Sequence, residues 1–342
     1  MTLYPLFRAL LFNLDPERAH YLTLNLIRLA GDIEPVNRLL RRMFIVPASP
    51  VKAFGLNFSN SIGLAAGYDK DGLGWRGLAC LGFGHIEVGT VTPLPQAGNP
   101  KPRVFRLKTD RALINRMGFP GLGEELVKKE ISRSRPRNLI LGVNIGKNKE
   151  TPLEYAENDY LRLLRTFAAH VDYLTVNISS PNTVGLRRLQ ERQALDHLLS
   201  KLNSERGQLK SLTPGRLPIL VKLAPDLSDR ELDDALDVIL ANNMDGVIAT
   251  NTTLSRDGLK SQVALENGGL SGQPLFSRSL AMIGKIYQHT GGRLPVIGVG
   301  GIFNAAGVQK MLDAGAVLVQ LYTGLIYEGP GLVKRILQVL PQ

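Results

Sequence analysis

A chain of 342 residues with 44% hydrophobic and 21% charged side chains has the make-up of a globular protein with a large core, which excludes disorder as its main state. Its formal charge of +11 favours anionic ligands or surfaces, but the 41 lysines and arginines are dispersed and aromatics reach only 6%, so the pattern of a nucleic-acid binder is missing. One cysteine excludes an internal disulfide, and five histidines show no metal-ligand spacing, so neither a disulfide framework nor a bound metal is expected.

Residues 1–45 stand apart from the rest of the chain. Leu3, Phe7, Leu10 and Leu14 fall at helical spacing, and Asp15-Pro16-Glu17 supplies an N-cap and a first-turn proline for a second helix ending near Gly31. That helix has one apolar face of Ala19, Leu22, Leu26 and Leu29, and a second of Leu24 and Ile27. More apolar surface than one packing face requires predicts a helix pair lying on a membrane or capping a greasy cavity. No signal peptide opens the chain and no apolar run reaches the ~20 residues that span a bilayer, so a cytoplasmic location is expected.

Past residue 55, apolar strand-like runs alternate with helical patterns. The runs are Ser61–Gly67, His85–Thr90, Leu139–Ile145, Tyr173–Ile178, Ile219–Leu223, Gly246–Asn251, Pro295–Gly300 and Val317–Tyr322. Helices are predicted near 73–80, 121–132, 154–169, 190–204, 228–241, 277–289, 304–313 and 330–339. Eight such pairs predict an α/β chain folded as a (β/α)8 TIM barrel over residues 46–342, with residues 1–45 as an N-terminal helical extension. An open doubly wound sheet fits less well, because Ala65-Ala66-Gly67-Tyr68-Asp69-Lys70 after the first run is not a dinucleotide-binding fingerprint. Cys80, in Gly77-Leu78-Ala79-Cys80-Leu81, reads as core packing on a helix.

Working residues of such barrels sit at the carboxyl ends of the strands. Those ends carry Lys70, Thr90, Asn144, Asn177, Lys222, Thr250-Asn251, Gly300-Gly301 and Tyr322-Thr323, rich in lysine and amide and poor in carboxylate. Such a rim suits an anionic ligand with ring donors and acceptors. Lys222 has apolar flanks, so in a barrel mouth it must meet an anion, form a Schiff base or lose its charge. Gly298-Val299-Gly300-Gly301 before a helix near Asn304, with Tyr322-Thr323-Gly324 after the eighth run, predicts a phosphate site in the seventh and eighth loops. Asn177-Ile178-Ser179-Ser180-Pro181-Asn182-Thr183 ends the fourth run without a single charge.

These stretches, together with Gly89-Thr90-Val91-Thr92-Pro93, Asn115-Arg116-Met117-Gly118-Phe119, Asn144-Ile145-Gly146-Lys147-Asn148 and Ala249-Thr250-Asn251-Thr252-Thr253, resemble the dihydroorotate dehydrogenases over effectively the whole chain. The resemblance implies an FMN enzyme of pyrimidine biosynthesis that oxidises (S)-dihydroorotate to orotate. It points to class 2, the quinone-using and membrane-associated form, because Ser180 stands where class 1 carries a cysteine base and because the N-terminal helices are present. Ser180 is then the base for the C5 proton, with Thr183 to Arg187 as the closing loop. Asn115, Asn177, Asn182 and Asn251 would hold the orotate ring and Lys70 its carboxylate. Thr252 and Arg116, Met117, Gly118 and Phe119 complete that pocket.

By the same resemblance FMN would contact Ala66, Gly67, Tyr68, Asp69 and Lys70, then Thr90, Asn144, Asn177, Lys222 and Thr250. Gly272, Gly301, Tyr322 and Thr323 would cradle its phosphate. His20 and Arg106 match positions lining a quinone passage from the bilayer, which places the protein on the cytoplasmic side of the cell membrane as a peripheral protein. Three departures from the family pattern are Tyr68, expected to crowd the flavin, Val184 in place of a proline, expected to loosen the lid, and Pro120-Gly121. A Schiff-base aldolase on Lys222 and a non-catalytic membrane-associated binding barrel are the alternative readings.

Overall fold

The computed structural model describes residues 4–136, 138–209 and 215–340. Eight parallel strands close into a barrel: β1 (Ile62–Leu64), β2 (His85–Val91), β3 (Ile140–Ile145), β4 (Tyr173–Asn177), β5 (Ile219–Leu223), β6 (Gly246–Ala249), β7 (Val296–Val299) and β8 (Ala316–Leu321). Each pairs with its neighbours in chain order, and β8 returns to β1. The expected (β/α)8 barrel is therefore the fold, with helices at its N-terminus.

Alternation along the strands sorts the side chains into two sets. Leu64, Ile86, Val88, Leu141, Val143, Leu174, Val176, Val221 and Val247 face outward into one large core shared with the surrounding helices. Residues of the other register, including Ala65, Tyr173, Leu220, Ile248, Ile297 and Leu318, fill the barrel interior. A hairpin of Val51–Ala53 and Leu56–Phe58 closes the floor, and Phe58 joins the interior set. Strands buried on both faces read as continuous apolar runs, which is why the eight were visible in the sequence.

The outer helices fall near their expected places. Glu124–Ile131, Ala156–Phe167, Arg192–Gln208, Asp229–Ala241, Phe276–Thr290 and Ala305–Asp313 follow successive strands. Ser228 and Glu231 form a reciprocal capping box at the start of Asp229–Ala241. The last predicted helix, 330–339, is Leu332–Leu337, and an unforeseen helix, Thr323–Glu328, precedes it across Gly329 at a φ of 81°.

The N-terminal part holds three helices: α1 (Tyr4–Leu11), α2 (Pro16–Asp32) and α3 (Glu34–Phe44). Leu3 lies outside the described residues and Leu14 lies beyond the end of α1. Asp15 caps α2 as expected, accepting the amides of Glu17 and Arg18. Gly31 falls one residue before the end of that helix at Asp32, as expected. It sits within α2 where a Cβ would come 2.4 Å from the Gly77 nitrogen, and a Cβ on Gly77 would come 1.9 Å from the Ile27 oxygen. Two glycines thus let α2 and the short helix Trp75–Ala79 meet backbone to backbone. The opposite surface of the helices stays apolar and uncovered, with Leu6, Phe7, Leu10, Leu22, Leu26, Leu29, Leu39 and Met43 exposed. Among the described residues no helix is long and apolar enough to cross a membrane.

A three-stranded antiparallel sheet was not foreseen. Val104–Leu107, Ala112–Asn115 and Gly269–Gly272 pair in that spatial order, using an excursion after β2 and one after β6. This sheet brings Asn115 and Gly272 to the carboxyl end of the barrel.

Candidate active site

A cavity of about 730 Å³ opens at the carboxyl ends of the strands. Its polar end is lined by Lys70, Asn115, Asn177, Ser180, Asn182, Lys222, Thr250, Asn251 and Thr252, and by Met117, Gly118 and Phe119. Ala66, Gly67, Tyr68, Asp69, Thr90, Gly272, Gly301, Tyr322 and Thr323 line it as well. Its other end runs between α1 and α2, past His20 and Arg106, to Phe7, Leu11, Leu26 and Ile27.

Two expected residues do not reach this cavity. Asn144 lies one layer below, buried, and the Arg116 guanidinium is turned outward to Glu266 at 2.6 Å and stacks 4.6 Å from the Phe105 ring. A tertiary ion pair claims Arg116, which local sequence could not reveal.

The amides are wired to one another. Asn177 Nδ2 donates to Thr90 Oγ1 (2.8 Å) and Asn144 Oδ1 (3.1 Å), and Thr90 Oγ1 donates to Asn144 Oδ1 at 2.6 Å. Asn177 Oδ1 accepts Ser179 Oγ and, at 3.3 Å, Asn251 Nδ2, which also donates to Ser179 Oγ at 3.0 Å. The Asn177 carbonyl takes the buried Tyr160 hydroxyl at 2.9 Å. Each carboxamide is thereby fixed in orientation before any ligand arrives, which lowers the ordering cost of binding.

Ser180 is 5% exposed and its Oγ accepts the Asn182 amide at 3.2 Å. Asn182 Nδ2 reaches Asn115 Oδ1 at 3.3 Å, across the gap between the β4 loop and the three-stranded sheet. Arg187 clamps the same loop from behind, donating to the Ser179 and Thr252 carbonyls and to Asp226. Val184, in the same loop, is 91% exposed.

Two ammonium groups face the cavity from different sides. Lys70 Nζ donates to the Gly67 carbonyl at 2.9 Å, and burial pushes its pKa down to about 8 against the opposing charge of Asp71. Burial also lowers the pKa of Lys222, and the charge of Glu87 opposes the shift. The Asp69 carboxylate turns away, accepting the Leu73 and Gly74 amides, and burial raises its pKa to about 6.

Tyr68 packs edge-on against both His20 (5.2 Å between ring centres) and Tyr322 (5.8 Å). It therefore stands where the polar end of the cavity meets the helices. Burial holds His20 down to about 4, with the Lys70 charge adding to the shift, so the imidazole is neutral at pH 7. Arg106 donates to the Leu14 carbonyl at 2.6 Å and lies 4.7 Å over the Phe12 ring.

At the far wall Gly272 and Gly301 have φ of 102° and 68°. A Cβ there would come 2.4 Å from the Arg111 carbonyl oxygen or 2.6 Å from the Phe276 side chain, so this wall stays bare backbone. Sequence reading missed one buried group altogether: Glu87, inside β2, is fully buried beneath Asn144. A carboxylate in the middle of an otherwise apolar run was the available signal.

An eight-stranded α/β barrel whose carboxyl-end cavity joins fixed amides, a serine and two lysines to an apolar mouth is a barrel enzyme for a small anionic ring. Comparison with known proteins is specific. The family model for dihydroorotate dehydrogenase matches residues 49–342. A dihydroorotate dehydrogenase (quinone) of Paraburkholderia phymatum is 51% identical over 340 residues, covering 99% of this chain and 98% of that one. One from Escherichia coli strain SMS-3-5 / SECEC is 48% identical over 337 residues, covering 97% and 98%. A crystal structure of DHODH from Eimeria tenella in complex with ferulenol matches with a TM-score of 0.85 at 38% identity, covering 95% of this chain and 90% of that one. The chain belongs to the dihydroorotate dehydrogenase family, in its quinone-using class 2, and is an oxidoreductase of pyrimidine biosynthesis acting on dihydroorotate.

Proposed function

We propose that this chain oxidises (S)-dihydroorotate to orotate with FMN as hydride acceptor, Ser180 as the base at C5, and a membrane quinone as the final oxidant. The observation that carries this reading is the single cavity in which Ser180, four asparagines and two lysines share one space with an apolar mouth between α1 and α2. Residues 46–342 hold FMN and dihydroorotate in this reading. Residues 1–45 form the quinone passage past His20 and Arg106 and rest on the lipid surface, on the cytoplasmic side of the cell membrane, through their exposed leucines.

The residues present fit FMN. Bare backbone at Gly272 and Gly301, beside Tyr322 and Thr323, suits a phosphate, and Thr90, Asn177 and Thr250 offer both donors and acceptors to a flavin ring, with Asn144 orienting Thr90 and Asn177 from below. Ala66, Gly67, Tyr68, Asp69 and Lys70 form the adjoining wall, and Lys222 supplies positive charge where a reduced flavin gains negative charge. When bound, FMN accepts the hydride from C6.

Protein groups then do the rest. Lys70 holds the substrate carboxylate. Asn115, Asn177, Asn182 and Asn251 fix the ring, with Thr252 and the turn at Met117, Gly118 and Phe119 closing the pocket. A serine hydroxyl takes the C5 proton only if its own proton passes on in the same step, in this reading through a relay to solvent, and the 5% exposure of Ser180 limits that contact with solvent to such a relay. The neutral imidazole of His20 suits an uncharged, lipophilic oxidant better than a charged one. Family membership displaces the Schiff-base aldolase and the non-catalytic barrel.

The test is a spectrum of the purified protein before and after dihydroorotate is added without oxygen. A flavin absorbance that bleaches supports the reading; a colourless protein refutes it.

A further inference from the structure

Arg187 stands in the short helical turn Leu186–Gln190 that follows the Ser180 loop. That turn is a fixed platform. Leu186 and Leu189 are buried in the core shared by the strands and the outer helices, and Gln190 Oε1 accepts the Ala224 amide of the loop after β5 at 3.0 Å. From this platform the guanidinium reaches three barrel loops at once. Nε donates to the Ser179 carbonyl at 3.1 Å, Nη2 to the Thr252 carbonyl at 3.0 Å, and Nη1 to Asp226 Oδ2 at 2.9 Å. Asp226 is held in its turn, accepting the Leu254 amide at 3.1 Å and the Thr253 hydroxyl.

Each acceptor takes a different nitrogen, so the planar fork of arginine is used in full. A lysine ammonium, with its donors on one atom at the end of a flexible stem, cannot serve three acceptors spread around a plane. What the fork holds decides what it does. The Ser179 carbonyl shares one rigid peptide plane with the Ser180 amide, and fixing that plane fixes the direction in which the Ser180 side chain leaves the backbone. Among the described residues Arg187 is the one hydrogen-bond donor to that carbonyl.

We propose that Arg187 is a positioning residue for the reaction: its guanidinium, held by Asp226 and the Thr252 carbonyl, fixes the Ser179–Ser180 peptide and so aims the Ser180 hydroxyl at the C5 proton. Arg187 does not line the cavity and acts through Ser180. The inference rests on the proposed role of Ser180 as the base.

The experiment is Arg187→Lys in the full-length, flavin-loaded protein, alone and combined with Ser180→Ala. Flavin bleaching by saturating dihydroorotate is followed without oxygen, and re-oxidation of the reduced flavin by a quinone is followed separately. A misplacement of about 1 Å costs a reacting group about 100-fold, so bleaching in Arg187→Lys should slow by about 10- to 100-fold. Re-oxidation should keep its wild-type rate. On the Ser180→Ala background the same substitution should change bleaching by no more than about twofold, because the group it aims is gone. Asp226→Asn, which weakens one of the three anchors of the guanidinium, should give a smaller loss of the same kind.

Wild-type bleaching in Arg187→Lys overturns the proposal. So does an equal slowing of re-oxidation, which marks a general loosening of the fold, and so does an undiminished effect on the Ser180→Ala background, which places the action of Arg187 elsewhere. If Arg187→Lys does not fold, Asp226→Asn is read by the same criteria, and unfolding of both overturns the proposal because the pair then serves stability. Wild-type bleaching in Ser180→Ala alone refutes the role of Ser180 and this inference with it, whereas a normal loss in Ser180→Ala beside any of the adverse results above overturns this inference alone.

Discussion

Replacement of Gly77 by alanine should separate the two halves of the reaction. The new Cβ would lie 1.9 Å from the Ile27 carbonyl oxygen and 2.8 Å from its carbon, both backbone atoms of α2. A relaxed C···O contact is about 3.3 Å, so α2 and the helix Trp75–Ala79 must part by about 1.4 Å. Overpacking of this kind costs about 1–3 kcal/mol, and here it falls on the docking of α2 rather than on the barrel. Converted at tenfold per 1.4 kcal/mol, amides of Pro16–Asp32 should exchange with solvent about 5- to 150-fold faster. His20 rides on α2 against Tyr68, so reduction of a lipophilic quinone should weaken, seen as a raised KM. Flavin bleaching by dihydroorotate should hold its wild-type rate, because Ser180 and the asparagines are set by barrel strands and by the Val104–Leu107, Ala112–Asn115 and Gly269–Gly272 sheet. Gly207→Ala is the control, since a Cβ there meets nothing within 4 Å. Unchanged exchange across α2 together with unchanged quinone kinetics would refute the glycine-contact argument.

Ser180→Ala should keep flavin and orotate binding while flavin reduction in anaerobic stopped-flow falls by about 10²- to 10⁴-fold, the usual worth of a positioned base; near-wild-type bleaching would remove Ser180 from that role. Orotate affinity should track the charge of Lys70. Its pKa is depressed to about 8, so binding is at full strength below that pH and falls by up to about tenfold per pH unit above it, and a titration flat from pH 7 to 10 would count against Lys70 as the carboxylate partner. Glu17→Ala strands the Arg103 guanidinium, 6% exposed and bonded to both Glu17 oxygens, and should destabilise the fold by about 3–5 kcal/mol in urea unfolding. The Arg103 pair outweighs burial and holds the Glu17 pKa below its usual value, so that stabilisation is present at neutral pH and lost as pH falls through the depressed value.

Much of this was legible because barrel strands repeat one local signal, an apolar run ending in a polar residue, eight times in order. The polar ends then named most of the cavity, from Lys70 to Thr323. What escaped depends on contacts between segments far apart in the chain. Ala112–Asn115 pairs with Gly269–Gly272 across more than 150 residues, and no periodicity in either stretch announces the other. Arg116 was placed in the pocket by its neighbours in sequence, whereas Glu266 decides where it points. The third helix was within reach: Val36, Leu39, Leu40 and Met43 follow helical spacing behind Glu34-Pro35. It was passed over because no polar cap announces its start: Ile33 stands at the N-cap position without a side-chain hydrogen bond.

The division of the cavity explains why one barrel can face two substrates of opposite character. Dihydroorotate is charged and polar, and Asn177 and Asn251, two of the groups that would meet it, are fixed by a network running from Glu87 through Asn144. A quinone is lipophilic, and the helices that would meet it leave apolar side chains uncovered on one side and line the cavity on the other. Tyr68, with His20 on one edge and Tyr322 on another, occupies the boundary. Its ring fills that boundary by packing against both neighbours. The Glu17–Arg103 pair spans the same boundary behind it: Arg103 also donates to the Ala97 and Asn99 carbonyls, and Asn99 donates to the carbonyl of Asn182 in the Ser180 loop. A continuous set of hydrogen bonds thus runs from α2 to the loop that carries Ser180.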